Sequence, residues 1–135
     1  MDDAARARID ELVATAREAM DRAYAPYSGF QVGAALLAGD RVFTGQNIEN
    51  ASYPVSVCAE RNAVGRMIDA GERQIQAVAV VTAADTPTPP CGACRQVLWE
   101  FAGDIEVILA DLDKIKTTHR LKDLLPHPFD ARFIE

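Results

Sequence analysis

At 135 residues, with 49% hydrophobic and 25% charged side chains, the chain has the composition of an ordinary globular domain and enough length for a core without disulfide staples. No apolar run approaches the ~20 residues that a bilayer-spanning helix needs, so no membrane partner is expected. The formal net charge of −6, from 20 acidic and 14 basic residues, argues against a polyanionic partner, because phosphate binding needs a basic surface; no nucleic acid partner is expected.

The chain opens with MDDAARARIDELVATAREAM, which is charged and amphipathic and lacks the apolar core and cleavage site of a signal peptide. A cytoplasmic location is therefore expected. Apolar residues recur at Ile9, Leu12, Val13, Ala16, Ala19, Met20 and Ala23 with a helical period. Pro26 and Gly29 break it. Residues 31–39 and 41–50 read as two strands of a hairpin turning at Gly39-Asp40. After an irregular ASYPVSV, a helix is expected from Cys58 to Ala70, stopped by Gly71. QIQAVAVVTA reads as a strand buried on both faces. ADTPTPP is a loop, CGACRQVLWEFA a helix closed by Gly103, DIEVILAD a strand, and RLKDLLPHPF a short helical turn ended by Pro126. The order α-β-β-α-β-α-β-α predicts an α/β fold: one mixed sheet covered by helices. With no repeat or linker, residues 1–135 read as a single domain.

The three cysteines carry the chemistry. Cys91 and Cys94 stand three apart at a helix start, so both can point to one side of its first turn. Cys58 opens the preceding helix, with a strand between them, so the two helix openings can meet at one end of the sheet. Helix N-termini favour the thiolate, and three converging thiolates suit zinc. Small buried thiols or a redox C-x-x-C pair are the competing readings, and the redox pair leaves Cys58 and Glu60 unexplained. His119 and His127 have no ligand-like spacing to the cysteines and read as surface or turn residues. Three protein ligands leave a fourth position for water, the mark of a catalytic zinc. Cys58 and Glu60 are separated by about 200° on a regular helix. They reach one pocket only if Cys58 sits at or before the cap; Glu60 would then serve as a proton carrier beside the metal rather than as a ligand.

CAERNAV together with PCGACRQVL resembles the paired zinc signature of the cytidine deaminases, in the small homotetrameric form with three cysteines. The resemblance extends through YAPYSGFQVGAAL, GQNIENASYP and LKDLLPHPF, covering most of Tyr24 to Phe129. It implies a three-layer α/β/α fold with a mixed five-stranded sheet and one zinc per subunit. It also implies hydrolytic deamination of free cytidine and deoxycytidine to uridine and deoxyuridine, with release of ammonia, in pyrimidine salvage. By position it makes Cys58, Cys91 and Cys94 the zinc ligands and Glu60 the proton shuttle between water, N3 of cytosine and the departing amine. Arg61 would hydrogen-bond the cysteine sulfurs and drain charge from a zinc already quenched by three thiolates; Arg95 is a weaker candidate for the same task. Asn47 and Glu49 would hold the ribose hydroxyls. Phe30 would pack on the pyrimidine, and the backbone at Ala59 would meet the base edge. Tyr53 and Phe129 would reach into a neighbouring subunit's pocket, so active sites would be shared within a homotetramer.

Three departures stand out. Ser52 occupies a position where many relatives have cysteine, which should not touch the site. Asn62 replaces a commoner threonine and should only adjust the helix start, while DLDKIKTTH lacks the usual glycine turn, so the last hairpin should differ in shape. The rival functions are deamination of another aminopyrimidine nucleoside of the blasticidin type, disfavoured by NIENASYP, and a non-catalytic module with structural zinc. The latter would need a fourth protein ligand.

Overall fold

The computed structural model describes residues 3–134; Met1, Asp2 and Glu135 of the expected 1–135 domain lie outside the described residues. Helices α1 (Asp3–Arg6) and α2 (Ile9–Met20) precede the hairpin of β1 (Val32–Ala38) and β2 (Arg41–Gln46). Then follow α3 (Ala59–Asp69), β3 (Ala77–Thr82), α4 (Gly92–Ala102), β4 (Glu106–Ala110), β5 (Ile115–Arg120) and α5 (Leu121–Leu124). The sheet order is β2-β1-β3-β4-β5, with only β3 and β4 parallel. That parallel pair is the one joined through a helix, α4, as a parallel connection requires.

Alternation along the central strands sorts the core into two layers. Leu36, Val78, Val80, Val107 and Leu109 face α3 and α4, packing with Ala63, Met67 and Leu98. Ala35, Leu37, Ala77, Ala79, Val81 and Ile108 face α2, meeting Leu12, Val13 and Ala16. All six residues of β3 are buried, as its unbroken apolar run predicts for a strand covered on both faces. Fold class, hairpin and sheet are those expected: α/β, three layers, five mixed strands.

Two glycines set how closely helices approach. A Cβ on Gly33 of β1 would lie 1.9 Å from the Ala16 carbonyl oxygen of α2. One on Gly45 of β2 would lie 2.3 Å from the Ala59 carbonyl oxygen and 2.4 Å from the Ala63 nitrogen of α3. Both helices therefore rest directly on sheet backbone.

Several boundaries differ from the sequence pattern. Helix α2 ends at Met20, three residues before the last periodic alanine: there the bonding tightens to i→i−3, the N–H groups of Arg22 and Ala23 donating to the carbonyls of Ala19 and Met20. Strand β2 ends at Gln46: Ile48 pairs instead with Tyr24 and Val57, pulling residues 47–50 out of the hairpin ladder. Strand β5 has no counterpart in the apolar pattern, though the resemblance implied a fifth strand. It is an edge strand whose IKTTHR sequence is only half-buried. In the last hairpin, the Asp111 carboxylate accepts hydrogen bonds from the backbone N–H groups of Asp113 and Lys114, both at 2.8 Å. A side chain thus closes the turn where a glycine was missing, and these bonds hold the Asp111 carboxyl down at about 2.

Candidate active site

The strand register places one end of the sheet beneath both motif helices. Val32 of β1 pairs with Thr82 of β3, and Gly33 pairs with Gln46 of β2. The chain therefore leaves β2 and β3 at the same edge where β1 begins. From β2 it runs through residues 47–57 to α3; from β3 it runs through residues 83–91 to α4. Cys58 caps α3 and Cys91 caps α4, both with extended backbone, and Cys94 lies in the first turn of α4. Neither cap side chain satisfies helix N–H groups, so both sulfurs are free to face each other in the positive field of two helix ends.

The Sγ atoms of Cys58 and Cys91 are 3.7 Å apart, those of Cys91 and Cys94 3.4 Å apart, and all three lie within 4.8 Å of one another. A disulfide would need about 2.05 Å. A tetrahedral zinc with sulfurs at about 2.3 Å has an S–S edge of about 3.8 Å. The donor set and spacing fit zinc. Among the described residues, no other histidine, cysteine, aspartate or glutamate joins this cluster. His119 instead contacts Thr117 on β5, and His127 is exposed. The Cys58 thiol is held down at about 5, chiefly by its hydrogen bond with Cys94 and further by Arg61. Cys94 is pushed up, by the same bond first and then by burial. Arg61 Nη2 donates to Cys58 Sγ at 3.7 Å.

Glu60 is only 4% exposed. Burial pushes its carboxyl up to about 7, with the Cys58 charge acting in the same direction. It lies on an apolar cleft of about 220 Å³ lined also by Phe30, Val32, Asn47, Cys58, Ala59, Val80, Thr88, Pro89 and Cys91. None of these is basic. The wall residues Val32, Val80, Thr88 and Pro89 carried no signal in the sequence, since each reads as ordinary strand or loop.

The other candidates divide into those the fold brings to this cleft and those it does not. Phe30, Asn47 and Ala59 line it. Asn47 Oδ1 accepts from the Val32 N–H at 2.8 Å, and its Nδ2 donates to the Phe30 carbonyl at 2.8 Å. Glu49 sits beside the loop that carries Phe30, accepting from the N–H groups of Tyr27 and Ser28 and from the Ser28 hydroxyl. Tyr53 and Phe129 do not line their own chain's cleft. Tyr53 is 67% exposed, edge-on to Tyr27, and Phe129 is 58% exposed, stacked on Phe133. Arg95 makes no sulfur contact: it donates to the carbonyls of Pro90 and Leu124, both at 2.7 Å. Asn62 does more than adjust a helix start, donating to the Gln46 carbonyl at 2.7 Å and tying α3 to the end of β2.

The family model for the cytidine and deoxycytidylate deaminase zinc-binding region matches residues 6–110. The chain belongs to that family. It is 47% identical to a cytidine deaminase of Halalkalibacterium halodurans over 122 residues, covering 89% of this chain and 92% of that protein. A cytidine deaminase of Sporosarcina psychrophila is 43% identical, with 90% of each chain covered. The crystal structure of a Burkholderia pseudomallei cytidine deaminase superposes with a TM-score of 0.85 at 44% identity, covering 90% of this chain and 98% of that one. Family and donor geometry agree on a zinc site at Cys58, Cys91 and Cys94. No helix among the described residues is long and apolar enough to cross a membrane.

Proposed function

We propose that this protein hydrolytically deaminates free cytidine and 2′-deoxycytidine to uridine and deoxyuridine, with release of ammonia, as a cytoplasmic step of pyrimidine salvage. The observation that carries the reading is a buried carboxyl, Glu60, beside three clustered thiols in an apolar cleft. Cys58, Cys91 and Cys94 would hold zinc, which when bound would supply the Lewis acidity that makes water a nucleophile at neutral pH. Glu60 takes a proton from the attacking water and passes it to N3 of cytosine as the new C4–O bond forms. It then takes the remaining proton of the new C4 hydroxyl and delivers it to the amino group as the C4–N bond breaks, so that ammonia leaves and a C4 carbonyl remains. A carboxyl held inside the apolar cleft can both accept a proton and return it. Arg61 withdraws charge from the Cys58 sulfur, so that the three thiolates quench the metal less.

Phe30, Val32, Val80 and Pro89 form the apolar walls that exclude water around the base, and the backbone at Ala59 meets its edge. Asn47 and Glu49 receive the ribose. The absence of a basic side chain among the cleft-lining residues favours a free nucleoside over a nucleotide or polynucleotide, whose phosphates would find no partner. Tyr53 and Phe129, exposed in the single chain, reach into neighbouring clefts of a homotetramer.

Zinc-loaded protein incubated with cytidine should consume it, as followed by loss of the cytidine absorbance. Glu60→Gln should retain zinc while abolishing turnover. A Glu60→Gln protein that still deaminates cytidine would remove the shuttle assignment; an inert wild type would remove the reading itself.

A further inference from the structure

The segment that carries Phe30 is stitched to the segment that carries Asn47 and Glu49 by a set of side-chain hydrogen bonds meeting at one hydroxyl. Ser28 Oγ donates to Glu49 Oε2. The same oxygen accepts from the Phe30 N–H at 3.0 Å. Its single proton is therefore committed to the carboxylate, and the hydroxyl has no freedom to rotate. Glu49 Oε1 accepts the N–H groups of Tyr27 at 2.9 Å and Ser28 at 3.1 Å. Two residues earlier in the extended segment, Asn47 uses its carbonyl oxygen on the Val32 N–H and one amide hydrogen on the Phe30 carbonyl.

The remaining capacity of this pair is small and specific. Asn47 keeps one amide N–H and one lone pair on Oδ1, and Glu49 keeps acceptor capacity on Oε2, the oxygen that Ser28 holds. One donor and one anionic acceptor complement a hydroxyl, which accepts with its oxygen and donates its proton. They do not complement a phosphate, which has only acceptors and shares the sign of the carboxylate. We propose that Ser28 is a positioning residue that aims the Glu49 carboxylate at one sugar hydroxyl of the substrate and, through Phe30, sets the base wall in register with it.

This inference rests on the nucleoside deaminase reading above. The test is the kcat/KM of wild type, Ser28→Ala, Ser28→Cys, Ser28→Thr, Glu49→Gln and the Ser28→Ala/Glu49→Gln double variant. Substrates are cytidine, 2′-deoxycytidine and 3′-deoxycytidine, with zinc content and Tm measured alongside. Ser28→Ala should lose about tenfold to a hundredfold on cytidine, the scale of a hydrogen bond to a charged group, with zinc content unchanged. Ser28→Cys, which fills the volume but donates weakly, should behave in the same way, and Ser28→Thr should restore most of the loss. On the one deoxy substrate that lacks the recognised hydroxyl, the Ser28→Ala loss should shrink to about threefold or less, and it should shrink equally in the Glu49→Gln background. A loss of equal size on all three substrates, or one fully additive with Glu49→Gln, overturns the proposal and leaves Ser28 a merely structural turn residue. Wild-type protein that deaminates none of the three overturns the functional reading on which it stands.

Discussion

Arg61 and Arg95 each directly follow a motif residue, yet the two guanidinium groups do different work. Arg61 turns back along the first turn of α3 onto the Cys58 sulfur, three residues away, where a cation stabilises a thiolate. Its Nε is buried and has no hydrogen-bond partner, so the side chain is held there at some desolvation cost. Arg95 faces away from the sulfurs and clamps the loop before Cys91 to the end of α5. Spacing alone could not separate the two, because one helical position is a rotation of about 100° and the deciding contacts come from other elements. Arg61→Ala should weaken the hold on zinc by roughly tenfold to a hundredfold, read by competition with a chelator. Unchanged zinc affinity would leave Arg61 with no electronic role. The cysteines themselves were legible from sequence, since three thiols at two expected helix openings have few other uses.

At the scale of elements, the site depends on how closely α3 lies against the hairpin. Gly45 permits a contact that any Cβ would block, since its nearest neighbours there are backbone atoms of Ala59 and Ala63, beside Cys58 and Glu60. Gly45→Ala should cost about 1–3 kcal/mol of stability by urea unfolding, and the residual folded protein should bind zinc less tightly. Gly33→Ala meets α2 on the opposite face of the sheet and should cost a similar stability while disturbing zinc affinity less. Equal effects on zinc would mean that strain spreads through the sheet rather than through α3. The strong apolar periods of α2, β3 and the motif helices were legible in the sequence because burial dictates them directly. Strand β5 was not, because an edge strand contributes few buried side chains and is held mainly by its backbone ladder to β4. Nor was the departure of residues 47–50 from β2, which follows from bridges made by Ile48 to Tyr24 and Val57, outside the hairpin.

For the whole molecule, the large exposed side chains matter more than the net charge. Tyr24, Tyr53, Val55, Phe129 and Phe133 are each more than half exposed in the single chain, surface that the proposed assembly would cover in part. In the proposed tetramer, Tyr53 and Phe129 complete neighbouring clefts. Light scattering should therefore give four chains per particle, and Phe129→Ala should lower turnover even where assembly persists. An active monomer would contradict the sharing. Local sequence determined the donor chemistry of this protein: three thiols, a carboxyl and two helix openings, because those properties belong to residue types and short periods. Only the tertiary structure decided that the sulfurs stand at zinc spacing, that Glu60 is buried beside them, and that Ser28 reaches Glu49. Those distances are set by sheet register and by helices resting on glycine backbone, which join positions well separated in the chain, as Cys58 and Cys91 are at 33 residues.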